Sequence, residues 1–288
     1  MKPIIILING FASSKLWWQY TYENSATLRK LDFLDNLKKI GTVYTFNQPF
    51  FNIDYYGTPD KKSEILIWKK IYKKYKPCSS NINFTLEDLD YHNICNKIYN
   101  NVKAKYGNQK YIVIGHSYGG TLALVFSKMF SSDCLFCCCI DNPPHVLEFY
   151  KIKNNREDLS VLDEYPDNVS LKNTLSIIKN STDQKERNKY IDKIYALITV
   201  KSCQDRIKYY YKKLYTPTII FRATIINPKG WQIDFNKYSK KEHLIFKKSK
   251  NLIDYVYMKG ADHYIWKNQE LSDQIIDKIK WILSLYEK

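Results

Sequence analysis

No stretch of the sequence approaches the roughly 20 apolar residues that a membrane-spanning helix needs. The opening MKPIIILING holds a lysine and a short apolar run. Asn9-Gly10 cuts that run too early for a secretory leader, and Ile4 to Ile8 reads as a strand buried on both faces. Paired cysteines are lacking too. There are seven, an odd number. Cys137, Cys138 and Cys139 are consecutive in an apolar run, so on a strand they face alternate sides and cannot build a disulfide framework. Cysteine used as a small core residue predicts a reducing compartment, the cytosol. His92 and Cys95 lie three apart on an expected helix with no further ligands beside them, which reads as helix packing rather than a metal site. Arginine is scarce, five beside 40 lysines, in a chain of net charge +16. Surfaces selected for phosphate favour arginine forks, so nucleic acid is not the expected partner. WKKIYKKYK (68–76) and KYYYKKLY (208–215) interleave aromatics with lysine as single-strand binders do. They fit amphipathic helices with solvated lysines equally well.

What the chain does have is alternation of strand and helix. At 288 residues and 44% hydrophobic it can bury a sizeable core as one domain, 1–288. Leucines at 28, 31, 34 and 37 predict a helix over 28–40, stopped by Gly41, with a strand over 42–46. Thr85 and Asp88 can form a capping box for a helix over 86–106, ended by Gly107. Residues 111–114, 134–140, 218–223 and 252–258 read as further strands, and a last helix carries Ile275, Ile279 and Ile282. The pattern predicts an α/β fold, a mainly parallel sheet with helices on both faces. Residues 145–215 have helical patterns and no convincing strand, and are read as a helical lid inserted in the same domain.

Glycine is sparse as well, nine in all, yet three stand at 115, 119 and 120. They frame Ser117 in YIVIGHSYGG, a strand running into a sharp turn and then a helix. A serine at the tip of so tight a turn presents its hydroxyl clear of the sheet, and the residues two before and two after must be small. The following helix aims its positive end at the serine.

A serine hydroxyl needs a base, and the base needs a carboxylate to fix its tautomer. Of five histidines, His116 lies inside the turn and points away from its neighbour's hydroxyl. His92 and His243 fall on expected helices, and His145 lies at the entrance to the insert. His263 alone follows a late strand, in the loop after Gly260, and is the candidate base. Two acids are open. Asp141 ends the strand after the serine's helix, and Asp234 lies about ten residues beyond the strand before last. Asp141 is preferred, because ligands and catalytic groups gather at strand C-termini in open α/β sheets. Asp262 is too close to His263 in sequence to reach its Nδ1. The oxyanion of an acyl transfer needs two donors, and the backbone N–H groups of Phe11 and Tyr118 are the candidates.

These motifs resemble the α/β-hydrolase superfamily: the GHSYG turn, His263, and Asn9-Gly10-Phe11 after the first strand, with Asn9 where many members have His. GHSYGGTLALVF…CLFCCCIDNPPHVLEFY, with its acid after this strand, is similar to thioesterase domains of fatty-acid synthases and of polyketide and peptide synthetases. TPTIIFRA and GADHYIW resemble their closing strand and histidine loop. The resemblance implies a serine hydrolase using Ser117, His263 and Asp141 on an acyl substrate, a thioester on coenzyme A or an acidic acyl carrier protein. No cofactor or metal is implied. Residues 48–76 and the lysine-rich insert depart from the family pattern. A carboxylesterase or lipase-like enzyme on oxygen esters, and a non-catalytic binding protein of this fold, are the alternatives.

Overall fold

The computed structural model describes residues 2–10, 18–22, 28–46, 90–149, 183, 202, 204–225 and 232–286, without the side chains of 22, 28 and 232–236. Six parallel strands form its central sheet: β1 (Ile4–Ile8), β4 (Thr42–Thr45), β5 (Tyr111–His116), β6 (Cys134–Ile140), β7 (Thr218–Ala223) and β8 (Leu252–Met258), in the order β4-β1-β5-β6-β7-β8. A two-stranded antiparallel ribbon, β2 (Tyr20–Tyr22) and β3 (Leu28–Lys30), stands apart from it. The helices are α1 (Phe33–Ile40), α2 (Tyr91–Tyr106), α3 (Tyr118–Met129), α4 (Gln232–Phe246) and α5 (Gln269–Ser284).

Side-chain alternation along the strands builds two cores. Ile4, Ile6, Ile8, Val113, Cys137, Cys139 and Ile220 face one side, against α2 and α3. Ile5, Leu7, Ile112, Ile114, Cys138, Ile140, Ile219 and Phe221 face the other, against α1 and α5. Each fully buried Ile or Leu contributes roughly 1.5–3 kcal/mol, which is why such apolar runs take the two-sided interior of a parallel sheet. The three consecutive cysteines divide between the faces as alternation requires, and the five described cysteines are free and buried.

The expected helix over 28–40 needs correction. Leu28–Lys30 pairs with Tyr20–Tyr22 as a strand, Arg29 and Lys30 are exposed, and the helix begins only after Asp32. Leu31, Leu34 and Leu37 are buried, so the leucine stripe marks a core-facing surface that starts before the helix does. The helix expected over 86–106 is described from Tyr91, where Asp90 accepts a hydrogen bond from the His92 N–H. The Thr85/Asp88 capping box, the segment 68–76 and most of the insert 145–215 lie outside the described residues. Among the described residues, no helix is long and apolar enough to cross a membrane.

The chain leaves β1 for β4 on one side and returns past it to β5 on the other. That reversal opens a crevice at the carboxyl ends of β1 and β5, the usual place for a ligand in an open α/β sheet.

Candidate active site

Ser117 sits at the carboxyl end of β5 with φ 53° and ψ −123°. Such a backbone costs about 1–3 kcal/mol and persists only where its surroundings enforce it. Here they do. The Ser117 N–H donates to the Ile140 carbonyl at 2.9 Å, and its own carbonyl accepts from Gly120 N–H at 2.9 Å as α3 begins. A Cβ at Gly119 would collide with the Ile8 and Asn9 carbonyls, and one at Gly115 with the Gly119 carbonyl. The glycines therefore let β1, β5 and α3 meet at one point.

Asp141 ends the neighbouring strand β6, with φ 44°, a left-handed backbone that aspartate tolerates better than most residues. It is buried, and both its oxygens are engaged. Oδ1 accepts from Ala223 N–H at 3.1 Å, and Oδ2 accepts from His263 Nδ1 at 2.6 Å. With a carboxylate at Nδ1, the ring carries its hydrogen there, and Nε2 keeps the lone pair that a base needs. His263 belongs to the loop after β8. That loop is tied down by hydrogen bonds from Thr224 and Ile225 N–H to the Ala261 carbonyl and from Gly260 N–H to Thr224 Oγ1. Asp262 points elsewhere, accepting from Tyr264 N–H at 2.8 Å. Asp234 falls near the start of α4, and its side chain is outside the described residues. Phe11 is also outside them. The Tyr118 side chain is buried against Tyr91, ring centroids 5.6 Å apart, and its backbone opens α3.

Three features here escape sequence reasoning. The first is His116, which is buried with its Nε2 2.9 Å from the His263 carbonyl. A carbonyl only accepts, so Nε2 carries the hydrogen. Burial, and after it the nearby His263, holds this imidazole well below its usual range, hence neutral. The second is a buried ion pair behind Asp141. Arg222 on β7 bonds Glu242 of α4, the Asn142 carbonyl and, through Nε, the Tyr255 hydroxyl at 2.8 Å. Glu242 also accepts from His145 N–H at 2.6 Å and from the Tyr255 hydroxyl at 2.7 Å. The loop following Asp141 is thus fastened at two residues. The third is Asn9, whose side chain donates to the Phe46 carbonyl at 3.2 Å and accepts from Trp18 Nε1, anchoring the start of the loop after β1.

The remaining histidines have structural partners. His92 stacks on Tyr209 at 3.8 Å and His243 on Tyr255 at 4.4 Å. His145 is buried, accepts from Tyr211 N–H at 3.2 Å, and is pushed down to about 3 by burial. In 208–215, Tyr209 bonds Asp90 at 2.6 Å and Tyr211 and Leu214 join the core, so these residues pack inward. No group of three His, Cys, Asp or Glu that could hold a metal ion occurs among the described residues.

Residues 3–182 match the alpha/beta hydrolase fold family. The chain therefore belongs to that family. Comparison with curated protein sequences gives no match. Among solved structures, the chain is similar to ClbQ from the colibactin NRPS/PKS pathway at 12% identity and TM-score 0.53, covering 100% of this chain and 99% of that one. It is similar to a thermophilic esterase from Thermogutta terrifontis at 12% identity and TM-score 0.52, covering 97% and 90%. It is also similar to the NocB thioesterase domain, solved as a covalent complex with a fluorophosphonate nocardicin G analog, at 10% identity and TM-score 0.50, covering 98% and 95%. Identities this low show a shared fold.

Proposed function

We propose that the protein is a serine hydrolase that cleaves acyl thioesters or esters through an acyl-enzyme. The observation that carries this reading is the 2.6 Å bond between His263 and Asp141 at the carboxyl end of the sheet, where the strained Ser117 turn also lies. In the mechanism, Ser117 Oγ attacks the acyl carbonyl while His263 Nε2 takes its proton. Asp141 holds the Nδ1–H and stabilises the imidazolium. The oxyanion rests on the backbone N–H groups of Tyr118 and Phe11, beside the positive end of α3. Collapse expels the thiol or alcohol, protonated by His263. Water then attacks the acyl-enzyme, His263 accepts its proton, and the free acid leaves with Ser117 restored. None of these steps draws on a metal or an organic cofactor.

Support for a thioester comes from the acid's position after β6, which resembles thioesterase domains, and from the fold shared with the NocB thioesterase domain. The fold shared with the Thermogutta esterase keeps oxygen esters in view. The test is turnover of an acyl-coenzyme A against an oxygen ester of the same acyl chain, with Ser117→Ala as control. Faster thioester cleavage, lost in the variant, supports the first reading. Oxygen-ester cleavage alone makes the protein an esterase. Turnover of neither overturns the hydrolase reading in favour of a binding protein of this fold.

A further inference from the structure

His116 stands where three loops meet. Its Nε2–H reaches the backbone carbonyl of His263 at 2.9 Å. Its ring lies 4.6 Å from the His263 ring and 4.3 Å, edge to face, from Trp266 in the same loop. On its other side is the turn after β1, where a Cβ added at Gly10 would lie 3.1 Å from His116 Nδ1 and 3.5 Å from Ser117 Cβ. Trp18 closes the enclosure, edge to face with His116 at 6.4 Å and tilted on Trp266 at 4.7 Å.

Alternation in β5 explains the arrangement. Because His116 and Ser117 are adjacent, a side chain directed away from the serine hydroxyl enters the space behind the turn, where the loop from β8 arrives. One peptide bond thus connects the nucleophile to the residue that grips the histidine loop. We propose that His116 is a positioning residue. Its Nε2–H, bonded to the His263 carbonyl, fixes that backbone so that the His263 imidazole meets Asp141 in the pose that leaves Nε2 for Ser117. The catalytic meaning of this role rests on the hydrolase reading, but the geometric claim can be read without turnover.

The chemistry demands one tautomer, since only a hydrogen on Nε2 can bond a carbonyl. Residues that merely fill space there would serve a core role but not this one. Glutamine carries an amide N–H at a reach close to that of Nε2, whereas phenylalanine keeps the bulk and loses the donor. A displacement near 1 Å at a catalytic group costs about 100-fold in rate.

The test combines nuclear magnetic resonance with kinetics on the full chain. In the wild type, ¹⁵N shifts should report His116 as the neutral Nε2–H tautomer. A low-field proton resonance that vanishes in Asp141→Asn should mark the His263 Nδ1–H. His116→Phe should broaden or lose that resonance and lower kcat by about 10- to 100-fold with KM little changed. His116→Gln should keep the resonance and most of kcat. An Nδ1–H tautomer in the wild type overturns the proposal and needs no variant to fold. So does a folded His116→Phe with resonance and kcat intact. A wild type that shows the Nε2–H tautomer and the resonance yet hydrolyses no acyl substrate sinks the hydrolase reading alone, with the resonance in His116→Phe still deciding this one.

Discussion

A single side chain cannot make serine reactive, and the proposed catalytic unit is a set of residues drawn from four parts of the chain. Ser117 comes from the end of β5, Asp141 from the end of β6, and His263 from the loop after β8, while the Ala223 N–H at the end of β7 holds the second oxygen of Asp141. Because both oxygens of Asp141 are committed, replacing one should be felt. With the retained oxygen held by Ala223 N–H, Asp141→Asn turns an amide N–H toward His263 Nδ1, favouring the wrong tautomer. Turnover of Asp141→Asn should fall by about 1,000-fold or more, whereas Asp234→Asn should stay within about threefold. Paired steady-state measurements check this, and the reverse order would transfer the acid's role to Asp234. A second prediction concerns space. Gly119→Ala forces a Cβ against the carbonyls of Ile8 and Asn9, so it should destabilise by roughly 1–3 kcal/mol through overpacking. Urea denaturation measures it, and an unchanged midpoint would mean that β1 and α3 can separate there at no cost.

Among the elements, β7 and α4 do more than complete the fold. Arg222 reaches from β7 to Glu242 on α4, and the same pair grips Asn142 and His145 just beyond Asp141. Both side chains are almost wholly buried, 1% and 0% exposed, so neither charge has water to fall back on. Removing one partner, as in Arg222→Met or Glu242→Leu, should cost about 3–5 kcal/mol. The double variant should cost less than the two singles together, because no lone charge is left inside. Strict additivity in urea midpoints would contradict the pairing.

The elements also divide into what a sequence can and cannot convey. The buried strands are legible because continuous runs such as IIILI and CLFCCCI have one comfortable environment. The β3–α1 boundary is not, because leucines at 31, 34 and 37 fit a helical stripe whether or not the helix has begun. The pairing of Leu28–Lys30 with β2 is a non-local event. In the candidate site, chain order and strand ends suffice to nominate Ser117, Asp141 and His263, since turns and strand termini leave local marks. His116 leaves none. Alternation tells which way its ring points, but not that a loop almost 150 residues later arrives there. Arg222 and Glu242 likewise look like ordinary surface charges until the fold buries them.

For the molecule as a whole, buried neutral histidines set an acid limit. His145 and His116 are held below the usual imidazole value, His145 at about 3, mainly by burial. Below about pH 6.5 the unfolded chain protonates them and the folded protein does not. The unfolded state then binds more protons, so stability falls as pH falls, and the loss continues down to the folded values. Each histidine contributes a slope approaching about 1.4 kcal/mol per pH unit. Asp35 and Asp133, held low by hydrogen bonds from Lys30 and Lys103, add their own losses only nearer pH 4. Urea midpoints at pH 7 and pH 5 should therefore differ, the lower pH being less stable, and equal midpoints would contradict the neutral burial of both rings.

At every scale the proposed function depends on an activated serine held by this family fold. The most direct measurement is reaction of the folded protein with a fluorophosphonate probe, the modified residue being mapped by mass spectrometry. Labelling is expected at Ser117, absent in Ser117→Ala and reduced by about 1,000-fold or more in His263→Ala. Folded protein left unlabelled, or labelled at another residue, would contradict it.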